Sequence, residues 1–339
     1  MVMVVEVASE GRSDLDGPGG VLRDRPHPAR IEPQLAVRAD RPPIPDHWWH
    51  ERKLDGMRLL VHVDGDAIRL LTRNHLERSA GFPELTEALR GACPPDLVAD
   101  GEVVAFEGER TSFSRLQGRM GLRDRFRAQA TGIAVHLYLF DLLHLDGQDL
   151  RGLPLRERKR RLAEAVSFGD PLRFTEHRTG DPDAAWAEAC AQGWEGLIAK
   201  DPDAPYRAGR SPVWRKLPCH AGQEFVVGGY TVPSGTRTGF GSLLLGTYEP
   251  AGLRYAGKVG TGFRDTDLQA LGRVLARLEQ DSSPFLDPPH DPAVRFVQPR
   301  LVVQVAFTEW TRDGRLRHPR YEGVRLDRDP RDVVREPSP

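Results

Sequence analysis

Only three cysteines occur in 339 residues: Cys93, Cys190 and Cys219. They are odd in number, far apart and without CxxC spacing, which argues against a disulfide framework and a structural zinc site. The expectation is unpaired thiols in a reducing compartment. No stretch approaches the roughly 18 consecutive apolar residues that a membrane helix needs. The opening MVMVVEVASEG has neither a basic n-region nor a long enough apolar core for secretion. These absences point to a cytoplasmic protein without a membrane partner. Bulk charge is lacking too. Lysine and arginine total 48 against 49 acidic residues, a net charge of -1, so any nucleic-acid binding must rest on local arginine patches. His136 and His144 have no metal-ligand spacing with a carboxylate or cysteine partner and are read as structural.

What is present suits a soluble fold with a real core: 39% apolar and 29% charged residues, in a length that holds one large domain or two ordinary ones. Residues 1–28 mix Gly, Pro, Ser and charge without periodicity and are expected to be a flexible tail. A proline-rich lead-in, RPPIPDHWWHERK, runs from Arg41 to Lys53. The segment LLVHVDGDAIRLLTRN predicts a hairpin bent at Asp64-Gly65 or Asp66. LVADGEVVAF, Leu97 to Phe106, predicts a strand interrupted by Asp-Gly-Glu. AVHLYLFDLLHLDG predicts a long strand ending at Asp146-Gly147. RERKRRLAEAV and DAAWAEACAQG predict helices, the second stopped by Gly193, and EGLIAK a short strand. The basic run Arg156 to Arg161 is read as a solvated helix face, with DNA-backbone contact as the alternative.

After Pro218 the pattern restarts. QEFVVGGYT, GSLLLGTYE and LRYAGKVG are three strands separated by Gly-rich turns. A helix follows, with Thr266 and Gln269 as a capping box and Leu268, Leu271, Leu275 and Leu278 as its apolar face. LVVQVAFTEW and a basic strand ending near Arg325 complete the order of an oligonucleotide-binding (OB-fold) barrel. The boundary is placed near residue 220. No internal repeat is visible.

Chemistry starts at Lys53-Leu54-Asp55-Gly56-Met57-Arg58. A lysine becomes a nucleophile only after losing its proton. The glycine permits a tight turn, and the arginine offers a cationic fork for phosphate. Alone, KxDGxR is a weak signal. It is followed, in order, by Thr72-Arg73-Asn74, Asp100-Gly101-Glu102, Tyr138-Leu139-Phe140-Asp141, Glu195 to Lys200, Trp214-Arg215-Lys216 and Arg325-Leu326-Asp327-Arg328. This ordered set resembles the nucleotidyltransferase motifs of ATP-dependent DNA ligases over roughly residues 28 to 330. GFGSLLLG, YAGKVGTGF and LRHPRYEGVR are similar to the ligase domain of bacterial end-joining ligase D. The chain is too short to hold the polymerase and nuclease modules often fused to that domain.

The resemblance implies an α+β chain: a flexible tail (1–28), a nucleotidyltransferase (adenylation) domain of antiparallel sheets with helices (29–220), an OB-fold β-barrel domain (221–330) and a C-terminal tail (331–339). It implies ATP as substrate and Mg²⁺ or Mn²⁺ as cofactor. Lys53 would carry AMP, with Asp55 and Arg58 beside it in the catalytic motif. Glu51, Arg73, Glu102, Phe140, Lys200 and Lys216 would bind the nucleotide: Phe140 by stacking on adenine, Glu102 through a ribose hydroxyl, and the lysines around the α-phosphate. Asp141 and Glu195 are hard oxygen ligands suited to the metal. Arg325 and Asp327 would meet departing pyrophosphate as the barrel closes. The partner would be nicked or broken double-stranded DNA, bound without sequence preference and with steep salt dependence, by a monomer.

Two positions depart from the family pattern. Pro218 stands where a second lysine is usual, and proline supplies no cation. Arg328 stands where lysine is usual, which keeps charge but not shape. Arg215 or Arg210 could replace the missing cation. Two other functions stay open: a weakened ligase fold that only binds nicked DNA, and an RNA-end ligase. The resemblance extends to DNA repair, with non-homologous end joining as one pathway and its end-binding or polymerase proteins as candidate partners.

Overall fold

The computed structural model describes residues 23–39, 45–219, 222–233 and 238–336. Most of the expected N-terminal tail and part of the proline-rich lead-in fall outside them. So does the expected boundary, at residues 220 and 221.

Two antiparallel-rich sheets carry the site. The larger orders its strands Arg23–Asp24, Gln148–Asp149, His136–Leu145, Asp96–Val104, Met57–Asp64 and Ala67–Thr72, with Leu172–Phe174 added in parallel to His136–Leu145. The smaller orders Gln34–Arg38, Gly209–Pro218, Gly196–Lys200 and Trp49–Arg52. Strand residues alternate between faces. One face of the larger sheet buries Leu59, Val61 and Val63 in a core with the helices Pro83–Ala92 and Phe113–Met120. The other sends Leu60, Val98 and Leu143 against Trp214 and Tyr206. Arg23–Asp24 is paired in the sheet, so the end of the expected tail is ordered.

The Met57–Asp64 and Ala67–Thr72 hairpin turns at Gly65-Asp66, with Gly65 at φ +58°. Asp-Gly-Glu does not break its strand. Asp96–Val104 is continuous, and a register shift between Asp100 and Gly101 absorbs the motif. A Cβ at Gly101 would lie 2.7 Å from the Tyr138 carbonyl, so the close approach requires glycine.

The third sheet orders Gly252–Val259, Leu243–Glu249, Gly222–Thr231, Val294–Ala306 and Glu279–Gln280, with Arg320–Val324 also paired to Val294–Ala306. It is the OB-fold region, but its ladder does not close into a barrel among the described residues. Gly257, at positive φ, sits at a register shift within strand Gly252–Val259, and Gly262, also at positive φ, follows the strand's end. The Tyr321 N–H donates to the Thr261 carbonyl at 2.9 Å, joining strand Arg320–Val324 to the segment after Val259. Helix Asp265–Leu278 buries Leu268, Leu271 and Leu275. Its cap is Arg264 with Asp267 rather than Thr266 with Gln269: the Arg264 N–H donates to Asp267 Oδ2 at 3.1 Å.

Cys190 and Cys219 form a disulfide, contrary to the expectation of unpaired thiols. They lie 29 residues apart, but helix Pro182–Ala191 packs on the smaller sheet and brings their Cα atoms to 5.3 Å. No helix of the described residues is long and apolar enough to cross a membrane.

Candidate active site

A cavity of about 290 Å³ opens between the two sheets and is roofed by the OB-fold region. Lys53 sits in it just past strand Trp49–Arg52, its N–H bonded to the Gly196 carbonyl at 2.9 Å. Its ammonium donates to Glu195 Oε1. Burial alone would lower the lysine pKa, but Glu195, with Asp55 and Glu102 behind it, carries it above the ordinary value. Lys53 is therefore stored protonated.

Four carboxyl groups crowd this lysine. Burial and Glu195 push Asp55 up to about 6. Burial pushes Glu102 up to about 8 against the pull of Arg58 and Arg325. Burial, Asp55 and Glu195 push Glu322 up to about 7. Glu195 Oε2 is buried with no hydrogen-bond partner. Like charges that resist ionisation together, beside an unpartnered carboxylate oxygen, are what a hard divalent cation relieves. The residues present thus fit Mg²⁺ or Mn²⁺ at Glu195.

Asp141 does not fit, which corrects the expected metal pair. Both its oxygens are held by Arg158, at 2.7 and 2.8 Å, in a pair with no solvent exposure on either side. It does not line the cavity. Arg158 comes from the run read as a solvated face. In helix Leu155–Ala165 the buried positions are Leu155, Arg158, Lys159 and Leu162. These follow the i, i+3, i+4, i+7 spacing of one helical face, so the periodicity held a signal that charge alone obscured.

Lys159 from the same face reaches Glu51, which also receives Lys200 at 2.6 Å. Glu51 is thus a buried anchor between two lysines. Burial, opposed by Glu51, lowers Lys200 to about 8. Its ammonium lies 4.3 Å from the Phe140 ring centre and 4.2 Å from that of Trp214. Arg58 stacks on Phe140 at 4.6 Å while its guanidinium grips Asp100 by two nitrogens. Asp100 also accepts from the Tyr206 hydroxyl at 2.6 Å. Burial is outweighed by Asp100, and Arg58 is held above its ordinary pKa. Arg58 is therefore anchored at the cavity wall.

The roof delivers Arg325, whose guanidinium donates to Asp327 at 2.9 Å and reaches the Gly56 carbonyl at 3.4 Å. The Gln117 amide of helix Phe113–Met120 donates to the Val324 carbonyl at 2.8 Å, a second tie between the two regions. Arg328 pairs with Glu224 at 2.6 Å. Arg210 lines the cavity from the start of strand Gly209–Pro218, eight residues before Pro218, whereas Arg215 lies over Trp48 at 5.1 Å and does not line it.

The C-terminal segment enters the cavity from the same side. Asp332 approaches Arg73 at 3.7 Å, and Glu336 contacts Lys216 and Arg38. The cavity thus gathers Lys53, Asp55, Arg58, Glu51, Arg73, Glu102, Phe140, Lys200, Lys216, Glu195, Arg325 and Asp327, and leaves out Asp141. Lys159, Glu322, Asp332 and Glu336 were missed because their partners lie far away in sequence.

Residues 33–217 match the family described as ATP dependent DNA ligase domain, and residues 236–328 match the ATP dependent DNA ligase C terminal region. The multifunctional non-homologous end joining protein LigD of Pseudomonas aeruginosa is 39% identical over 321 residues, covering 92% of this chain and 37% of that protein. The LigD of Mycobacterium tuberculosis, named as a multifunctional non-homologous end joining DNA repair protein, is 38% identical over 295 residues, covering 85% of this chain and 37% of its own. The solved structure of mycobacterial DNA ligase D complexed with ATP and MES is similar at a TM-score of 0.64 and 37% identity, over 90% of this chain and 98% of that one. The chain spans a little over a third of the length of these curated relatives.

Proposed function

The chain belongs to the ATP-dependent DNA ligases, and on that premise we propose that it seals 5′-phosphate/3′-hydroxyl nicks or breaks in double-stranded DNA through a lysyl-AMP intermediate on Lys53. The observation that carries this reading is the half-buried lysine, paired with Glu195 in a cavity walled by further cations.

The first step needs neutral Lys53. Glu195 holds the ammonium protonated; once Glu195 turns to a divalent ion that hold would be lost, and the proton can pass to water. The Lys53 nitrogen then forms a bond to the α-phosphorus of ATP as the bond to the β-phosphate oxygen breaks, and pyrophosphate leaves with that electron pair. Lys200 and Lys216 offset charge developing on the α-phosphate. Mg²⁺ or Mn²⁺, held by Glu195 with Asp55, Glu102 or Glu322 nearby, would supply further neutralisation of phosphate charge. Phe140 bounds the adenine side and Glu102 the ribose side. Glu51 acts one step back, by fixing Lys200 and Lys159. Arg325 and Asp327 ride on the roof, where pyrophosphate must exit. AMP next passes to the DNA 5′-phosphate, and the 3′-hydroxyl displaces it to close the strand.

We assign residues 29–220 to adenylation and 221–330 to the OB-fold domain, with a monomer as the working unit. End joining is the pathway the named relatives suggest, with end-binding or polymerase proteins as partners.

Incubation with α-labelled ATP and Mg²⁺ tests the reading. A labelled protein band that Lys53→Ala abolishes is the expected result. Absence of label in the unaltered chain would overturn it in favour of a nicked-DNA binding module, which Pro218 and the inserted Glu336 favour. Sealing of nicked DNA against nicked RNA separates the strand preference.

A further inference from the structure

Away from the nucleotide cavity, the larger sheet gathers a second set of polar side chains. His62, Val98 and His144 occupy one cross-strand row on three adjacent strands. Asp96 lies two residues from Val98 and shares its face. The ordered lead-in after Arg23–Asp24 adds His27. His27 Nδ1 lies 2.8 Å from Asp96 Oδ1, and His144 Nε2 lies 3.0 Å from the same oxygen. One ligand atom from each of the three residues falls within 4.8 Å of the others.

We propose that His27, Asp96 and His144 form a binding site for a divalent transition metal of the zinc class, separate from the nucleotide cavity. Two imidazoles and one carboxylate are ligands that such ions favour over Mg²⁺. The surroundings are built as metal sites are built. The second oxygen of Asp96 accepts the Gly147 N–H at 2.7 Å, which fixes the carboxylate. The other nitrogen of His27 lies 3.3 Å from His62 Nδ1, which fixes that ring. His144 is 2% exposed, whereas Asp96 is 30% exposed, so the site has a buried floor and a route to solvent.

Tetrahedral ligands about 2.0–2.1 Å from zinc stand roughly 3.3 Å apart. The separations of 2.8 and 3.0 Å to Asp96 therefore open by about half an ångström or less, while the two imidazole nitrogens, within 4.8 Å of each other, close toward the same spacing. Binding replaces the shared hydrogens with the ion, so protons leave as the metal enters. Water completes the coordination on the Asp96 side. The consequence is a clasp: His27 lies in the segment that pairs through Arg23–Asp24 with Gln148–Asp149, and the metal ties it to the central strands.

The test uses the full chain without nucleotide. Zn²⁺ is titrated by calorimetry and Co²⁺ by visible absorption. The unaltered chain should take up about one equivalent, with Co²⁺ giving the d–d bands of a low-coordinate nitrogen and oxygen site. His27→Ala should weaken binding by at least about tenfold. His27 lies outside the strands, in the lead-in after Arg23–Asp24, so that variant decides the matter; His27→Ala and His144→Ala are both read only if their metal-free circular dichroism matches the unaltered chain. Hydrogen exchange at residues 23–28 should slow on adding Zn²⁺. Equal uptake by the unaltered chain and His27→Ala, or no uptake by either, would overturn the proposal and leave a hydrogen-bonded hub. An excess of Mg²⁺ should not displace Co²⁺; displacement would also overturn it.

Discussion

Glu336, near the C-terminus, contacts the ammonium of Lys216, a cation that the motif pattern reserves for phosphate. Arg38 approaches the same carboxylate at 3.7 Å, and Asp332 approaches Arg73. Two acidic side chains of the terminal segment therefore occupy the place where a polyanion would bind. The segment is seated by the Glu336 N–H donating to Gln223 Oε1 at 3.2 Å and by the Gln223 amide donating to the Val334 carbonyl at 3.3 Å.

Competition between Glu336 and ATP follows from that contact. Glu336→Ala should lower the KM for ATP in lysyl-AMP formation by about two- to fivefold, the range set by an ion pair of about 0.5–1 kcal/mol. A raised KM would mean that the segment assists binding instead. Steady-state labelling at varied ATP concentration is the measurement.

Asp141 is expected to matter for folding rather than for metal. Breaking its buried pair with Arg158 by Asp141→Asn should cost roughly 3–5 kcal/mol in denaturant unfolding, with the Mg²⁺ concentration for half-maximal labelling unchanged. Glu195→Gln should do the reverse: near-native stability, but a strongly raised metal requirement. A shift in the Mg²⁺ midpoint for Asp141→Asn would restore it as a ligand.

Arg210 lines the cavity, at the far end of strand Gly209–Pro218 from Pro218, while Arg215 lies over Trp48 and does not line it. Arg210→Ala should slow lysyl-AMP formation by about tenfold or more, since charge-assisted contacts to phosphate are worth about 1.5–3 kcal/mol. Arg215→Ala should leave the rate within about twofold. Single-turnover labelling separates the two, and equal effects would remove Arg210 from the role Pro218 leaves open.

The crowded carboxyls predict a pH dependence of stability with a definite sign. Asp55, Glu102 and Glu322 have folded pKa values of about 6, 8 and 7, above their ordinary values near 4. The folded chain then holds more protons than the unfolded chain, so stability is fully present below about pH 4 from these groups and is lost as pH rises to about 8. Thermal melts without divalent ion should show this fall, and Glu102→Gln should flatten its upper part. Lys53 works the other way in activity: its raised pKa keeps it protonated, so the labelling rate should rise with pH across the neutral range. A rate independent of pH from 6 to 9 would show that proton loss from Lys53 does not limit the step.

The ordered motifs were readable because each is local. Strand, turn and proposed nucleophile sit within a few residues of one another in Lys53 to Arg58, and the near-continuous apolar runs of Met57–Asp64 and His136–Leu145 report strands covered on both faces. The family and the order of the two regions come from that level. The partners of the charged groups do not. Asp141 reads as a metal ligand in its motif and becomes a structural anchor once helix Leu155–Ala165 turns Arg158 inward. The cysteines read as unpaired until helix packing brings two of them together. His144 has no metal-like spacing along the chain, and only the pairing of three strands and the docking of His27 place it beside Asp96. A charge's role depends on what lies within about 4 Å after burial strips water away. Those distances are set by packing between segments remote in sequence, so the motif order identifies the family while the tertiary contacts decide which charges line the cavity and which are locked in buried pairs.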